Sequence, residues 1–121
     1  MNCLRVDDAG CVTLKIRGEL DALSAPELRP VLDQLVEDEA RDVIVDLSEL
    51  RMVDSSGVGA LVSLYKRVRS YGGQLAFMGV TAQPLVIFKL LRLDVVFGLA
   101  QDLPGTELEE AAPASIRVLR T

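Results

Sequence analysis

The side chains able to do chemistry in this chain are few and grouped. Asp54, Ser55 and Ser56 stand together and are followed by Gly57 and Gly59, while Glu19 and Asp21 form an acidic pair in Gly18-Glu-Leu-Asp21. A hydroxyl next to an acid can cap a helix, and at an exposed turn it can also accept a phosphoryl group. Nucleophilic catalysis is harder to build. The chain has no His and 2 Cys, Cys3 and Cys11, and no lysine is placed to activate a serine, so no usual hydrolytic constellation can be assembled. Gly57-x-Gly59 has neither the length nor the lysine of a phosphate-binding loop. Two thiols without a histidine make a poor zinc set. A turn at Asp8-Ala9-Gly10 would set Cys11 opposite roughly Asp7, leaving Cys3 too far along the neighbouring strand for a disulfide. Asp21, Asp46 and Asp54 carry oxygens that suit a divalent cation, but their spacing in sequence does not bring them together. These residues describe a substrate or ligand of enzymes and no enzyme itself, and neither a metal nor a cofactor is expected.

The elements that position them follow from the apolar pattern. Val43–Leu47 is short, β-branched and apolar on both faces except for Asp46, the pattern of a central strand. Val58, Leu61, Val62, Tyr65 and Val68 recur at helical spacing, giving a helix from about Ser56 to Ser70 that stops near Gly72-Gly73. The acid and hydroxyls therefore lie where a strand hands over to a helix, with Leu50 and Val53 anchoring the link. Upstream, Leu4–Val6 is a short edge strand. Val12–Arg17 alternates strictly as a half-exposed strand that Gly18–Asp21 ends. Ser24-Ala-Pro-Glu27 has the form of a capping box, with the cap on Ser24. The helix it opens carries Leu28, Val31, Leu32, Leu35 and Val36 on one face, and Pro30 should bend or tighten its first turn. Downstream come a strand at Gln74–Met78 and an almost wholly apolar helix at residues 82–93, capped by Thr81, with a polar side marked only by Lys89 and Arg92. Val95–Leu99 is expected as a last strand and Thr106–Ala112 as a terminal helix. Strands and helices alternate after the first hairpin, which implies parallel pairing with right-handed crossovers. Both acidic motifs then leave the C-terminal ends of strands, the edge at which such sheets bind ligands and partners.

At that edge two readings stand. Asp54, Ser55 and Ser56 suffice as helix caps. Capping does not explain two serines after an acid, nor Gly57 and Gly59, which cost a helix roughly 1 kcal/mol each relative to Ala. Bare glycines let another surface approach closely. Ser56, Ala60 and Ser63 would continue that surface as a row of small residues along the helix, with Leu64 on its flank. With only one of the two adjacent hydroxyls needed as the cap, Ser56 is assigned that role and Ser55 is left free.

Bulk properties bound the rest. The 121 residues form one domain, 50% of them hydrophobic and 4% aromatic, so the core must be aliphatic. A formal charge of -5 argues against nucleic acid. No basic leader and no segment of membrane-spanning length is seen, so a cytoplasmic protein without membrane insertion is expected.

Met52-Val-Asp-Ser-Ser-Gly-Val-Gly59 resembles the signature of the STAS domain, in particular that of bacterial anti-anti-sigma factors, and Gly18-Glu-Leu-Asp21 matches the family's other recurring motif. The resemblance runs from about Leu4 to Leu103. It implies an α/β STAS domain over residues 1–112, with a mixed, mostly parallel sheet of four to five strands, an N-terminal hairpin and about four helices. Residues 113–121 would form a tail of unassigned structure. It also implies an anti-sigma factor antagonist that binds an anti-sigma factor serine kinase when unphosphorylated, is released by phosphorylation at Ser55, and is reset by a PP2C-type serine phosphatase. Glu19, Asp21, Asp54, Ser56, Gly57, Gly59, Ala60, Ser63 and Leu64 would then meet the partner. Two other roles fit the same resemblance: an unphosphorylated accessory subunit docking an ABC-transporter ATPase, and a module binding a nucleotide or other small molecule.

Overall fold

The computed structural model describes residues 1–93. The strand expected at 95–99, the helix at 106–112 and the boundary before 113–121 lie outside the described residues.

β1 (Asn2–Asp8) and β2 (Cys11–Leu20) form an antiparallel hairpin. Asp8 pairs with Cys11 across Ala9 and Gly10, both at positive φ (50° and 84°), the two-residue turn whose twist matches that of its strands. Cys11 thus faces Asp8 rather than Asp7, Cys3 faces Ile16, and both thiols are free, with burial raising the Cys3 thiol above its usual pKa. The edge strand is longer than the three residues expected because its alternation continues through flanking polar positions.

The chain continues through α1 (Ala25–Glu37), β3 (Asp42–Asp46), β4 (Leu50–Val53), α2 (Ser55–Ser70), β5 (Gln74–Met78) and α3 (Ala82–Leu90). The sheet order is β1-β2-β3-β5, with β3 parallel to both neighbours and therefore central, as its composition required. β4 was not expected as a strand. It takes the place alongside β2 that β3 leaves free, pairing Gly18 with Leu50 and Leu20 with Val53. This also corrects the end of β2. The strand does not stop at Gly18 but shifts register there, at φ 92°, and runs on to Leu20 because β4 supplies a partner. On its far edge the Gln83 side chain of α3 satisfies both polar groups of Val53, accepting from its N–H (2.9 Å) and donating to its carbonyl (3.1 Å).

Val12, Leu14 and Ile16 of β2, Val43 and Val45 of β3, and Leu75 and Phe77 of β5 share one continuous core with Leu28, Leu32 and Leu35 of α1 and Leu61, Leu64 and Val68 of α2. Each such leucine contributes roughly 1.5–3 kcal/mol when fully buried. Among the described residues the core is aliphatic apart from Tyr65 at its edge and Phe77 and Phe88, whose rings meet edge to face with centroids 6.1 Å apart. α2 ends as its glycines predicted. Gly72, at φ 84°, donates to the Arg69 carbonyl and Gly73 to that of Val68, which completes the paired bonds of a left-handed helix exit.

The expectations at the starts of α1 and α3 fail. Ser24 precedes α1, but its side chain makes no capping bond, so the capping box does not form. The hydroxyl is turned back into the loop, where it accepts from the Asp21 N–H (2.9 Å) and donates to the Glu19 carbonyl (2.9 Å). Thr81 makes no side-chain capping bond to α3 either. α3 is apolar on more than one side, as expected. Pro84 and Phe88 are buried, while Val86 and Leu90, and Leu91 just past the end of the helix, are exposed.

Candidate functional site at the ends of β2 and β4

β2 and β4 run parallel and end side by side, with the Asp54 N–H donating to the Leu20 carbonyl (3.1 Å). The two acidic motifs thereby reach the same edge of the sheet, as their strand-end positions implied. Asp54 is the N-cap of α2. Its Oδ1 accepts from the N–H groups of Ser56 (2.9 Å) and Gly57 (3.1 Å), while Oδ2 accepts from the Ala22 N–H (3.2 Å) in the loop after β2. One carboxylate therefore ties the start of α2 to the upstream loop. This corrects the assignment of the cap to Ser56. Aspartate in extended backbone reaches the free N–H groups, and Ser55 and Ser56 become the first residues of the helix. Both serines are exposed, so capping does not distinguish their hydroxyls.

The upstream loop is held by Asp21. Its Oδ1 accepts from the N–H groups of Leu23 (3.0 Å) and Ser24 (3.0 Å), and its carbonyl accepts from the Ala25 N–H (2.7 Å). The Ser24 N–H bond, assisted by the Ser24 hydroxyl and the Leu23 N–H, holds the Asp21 carboxyl below the usual aspartate pKa against the opposing effect of desolvation. Glu19 is exposed, with a long contact of 4.0 Å from Arg51. Among the described residues, no group of three or more acidic or thiol side chains is arranged to hold a metal ion.

Beyond the cap, the exposed side of α2 is not a flat face. Together with α1 it forms a groove of about 450 Å³ lined by Ser55, Ser56, Gly59, Ala60 and Ser63 from α2 and by Arg29, Leu32 and Asp33 from α1. Arg67 closes one end of the groove, paired with Asp33 at 2.9 Å. Two α2 residues named from the sequence do not belong to it. Leu64 is fully buried in the core, so it cannot contact a partner. Gly57 is buried as well, and a Cβ there would sit 2.6 Å from the Leu20 carbonyl oxygen and 2.6 Å from Val53 Cγ2. Its bareness serves the packing of α2 on the ends of β2 and β4. Gly59 is the open glycine, where an added Cβ would meet nothing within 4 Å. Gly59→Ala should accordingly raise stability by roughly 0.5–1 kcal/mol through helix propensity alone. A denaturant melt showing a loss instead would mean that the position is already crowded. Sequence reasoning missed Arg29 and Leu23. Arg29 had no signal before α1 was placed beside α2, while Leu23 could have been flagged as a large apolar residue inside a polar turn.

The family model of the STAS domain matches residues 5–105. The chain belongs to the STAS domain family. Among curated relatives, the anti-sigma-B factor antagonist of Staphylococcus aureus is 31% identical over 96 residues, covering 79% of this chain and 86% of that protein. The anti-sigma-B factor antagonist of Bacillus subtilis is 30% identical over 94 residues, covering 78% and 85%. The solved structure of the Bacillus cell fate determinant SpoIIAA in its phosphorylated form superposes with a TM-score of 0.64 at 19% identity, covering 76% of this chain and 85% of that one, a likeness of fold.

Proposed function

We propose that this chain is an anti-sigma factor antagonist, which binds an anti-sigma factor serine kinase through the edge formed by the β2–α1 loop, the start of α2 and the α1–α2 groove. Phosphorylation of Ser55 by that kinase ends the binding, and a serine phosphatase of the PP2C type restores it. The observation that carries this reading is the exposed Ser55-Ser56 pair after Asp54, locked to the Asp21 loop by the Asp54 carboxylate and opening onto a groove whose α2 side is lined by small residues. The curated relatives, both named as antagonists of an anti-sigma factor, support it. Ser55 is chosen over Ser56 by its place directly after Asp54 in the family motif. A structural subunit docking a transporter ATPase would have no use for exposed hydroxyls at this turn. Regulation of this kind takes place in the cytoplasm, and no described helix is long and apolar enough to cross a membrane.

Ala60→Arg tests the docking surface. Ala60 is only half buried and lines the groove, so arginine there should leave circular dichroism and melting near wild type. It should weaken binding to the anti-sigma kinase of the same genome at least tenfold, about 1.4 kcal/mol. Wild-type affinity in the variant would move the dock elsewhere, with the exposed side of α3 the next surface to examine. A wild-type chain that binds no anti-sigma factor would overturn the functional reading itself.

A further inference from the structure

Leu23 is 87% exposed, the most exposed of the large hydrophobic residues described. A leucine on a loose loop would be ordinary, since single exposed apolar residues are common. This one is held. Its own N–H and that of Ser24 are bonded to Asp21 Oδ1, the N–H of Ala22 before it is bonded to Asp54 Oδ2, and the buried Ser24 after it returns its hydroxyl to Glu19. The loop on either side of Leu23 is thus fixed to the end of β2 and, through Asp54, to the first turn of α2.

We infer that Leu23 is a preorganised apolar anchor of the partner interface, inserting into an apolar pocket of the anti-sigma factor. The inference deepens the proposed function and rests on it. Anchors of this kind gain affinity because the ordering cost has been met before binding. The loop backbone is already tied down by these bonds, and the side chain still has most of its surface to bury. Its surroundings, acidic apart from Arg51 at 4.0 Å from Glu19, describe the occupant further. Glu19, Asp21 and Asp54 lie on the same edge, so a pocket with a basic rim fits, and a second copy of this chain would bring the same acids against themselves. The position is continuous with the Ser55 turn through Asp54. Surface closing over Leu23 would therefore also close over the hydroxyl that the kinase must reach.

The experiment measures affinity for the anti-sigma kinase of the same genome by calorimetry, using wild type, Leu23→Ser, Leu23→Met and Asp21→Ala. Leu23→Ser should bind at least tenfold more weakly with an unchanged melting temperature, because the residue touches little of its own fold. Leu23→Met, which keeps apolar bulk, should stay within about threefold of wild type. Asp21→Ala keeps Leu23 but frees the loop, so affinity should fall while amide exchange at Leu23 and Ser24 speeds up. Leu23→Ser binding within twofold of wild type would overturn the anchor and leave the proposed function standing. Failure of the wild-type chain to bind would overturn both. A wild-type dimer in light scattering that Leu23→Ser abolishes would assign the residue to self-association and likewise overturn the anchor.

Discussion

A single phosphate on Ser55 should lower affinity for the anti-sigma kinase about a hundredfold or more, while the melting temperature of the free domain moves by no more than a few degrees. The phosphate adds about -1.5 to -2 charges at neutral pH. It arrives at the N-terminus of α2, where the helix dipole favours an anion by roughly 0.3–1 kcal/mol when exposed. Asp54 already occupies the N–H groups of Ser56 and Gly57, so the new anion meets a carboxylate as well as a dipole. Two unit charges 4 Å apart in water repel by about 1 kcal/mol. The opposing effects are similar in size, and the isolated domain should hardly register the change. The partner should register it strongly. A surface closed over a hydroxyl and an open glycine leaves no room for a phosphate, and repulsion grows as water is excluded. A hundredfold loss corresponds to about 2.8 kcal/mol. Mass spectrometry after incubation with kinase and ATP locates the phosphate, and phosphate on Ser56 or Ser63 with Ser55 bare would refute the assignment. Widespread amide shift changes in strands remote from Ser55 would show that the switch is conformational.

Gly57→Ala should have the opposite sign from Gly59→Ala and a larger size. Two residues further along α2 a methyl group enters open space, whereas at Gly57 it would lie 2.6 Å from backbone oxygen at Leu20 and 2.7 Å from that residue's Cγ. Backbone cannot swing aside as a side chain can, and this carbonyl already accepts from the Asp54 N–H. Overpacking of this kind costs roughly 1–3 kcal/mol, against a helix-propensity gain of about 1. Because the clash is with backbone, the upper end of that range applies, so a net loss of about 2 kcal/mol is expected, together with displacement of the α2 start from the ends of β2 and β4. Because that start carries Ser55, phosphorylation by the kinase should slow too. An alanine variant as stable as wild type would show that α2 is free to shift.

Most of the order of elements was legible from periodicity, because the apolar spacing of β2, β3, α2 and β5 agrees with local propensity. β4 was not. Its four residues place buried Leu50 and Val53 around exposed Arg51 and Met52, which is neither alternation nor a run. The segment is a strand because β2 and Gln83 offer hydrogen bonds, a fact of tertiary pairing. The capping box at Ser24 was misleading for a related reason. Asp21, three residues earlier, offers a charged acceptor and draws the serine into the loop. Asp54 was recognised as part of the motif, yet the cap was placed two residues late, because Asp and Ser are equally good caps and composition cannot choose between them. Leu64 was put on the flank of α2. It is fully buried in the core that α1, α2 and the sheet share, and a single helical wheel cannot reveal what packs against a helix.

The replacement of β3 by β4 alongside β2 also bears on how the chain finds its structure. Among the described residues every parallel pairing joins positions a little over thirty apart: Val12 with Val43, Val43 with Leu75, and Leu20 with Val53. Closing loops of such similar length costs nearly the same chain entropy, with differences of under about 0.1 kcal/mol. Among the described residues no parallel pairing is entropically favoured over another, and the β1–β2 hairpin is the one strand pairing that is local in sequence. The strand end bearing the Asp21 loop is thus no harder to bring to Asp54 than the central strands are to bring together, and the edge at the ends of β2 and β4 carries no added search cost during folding.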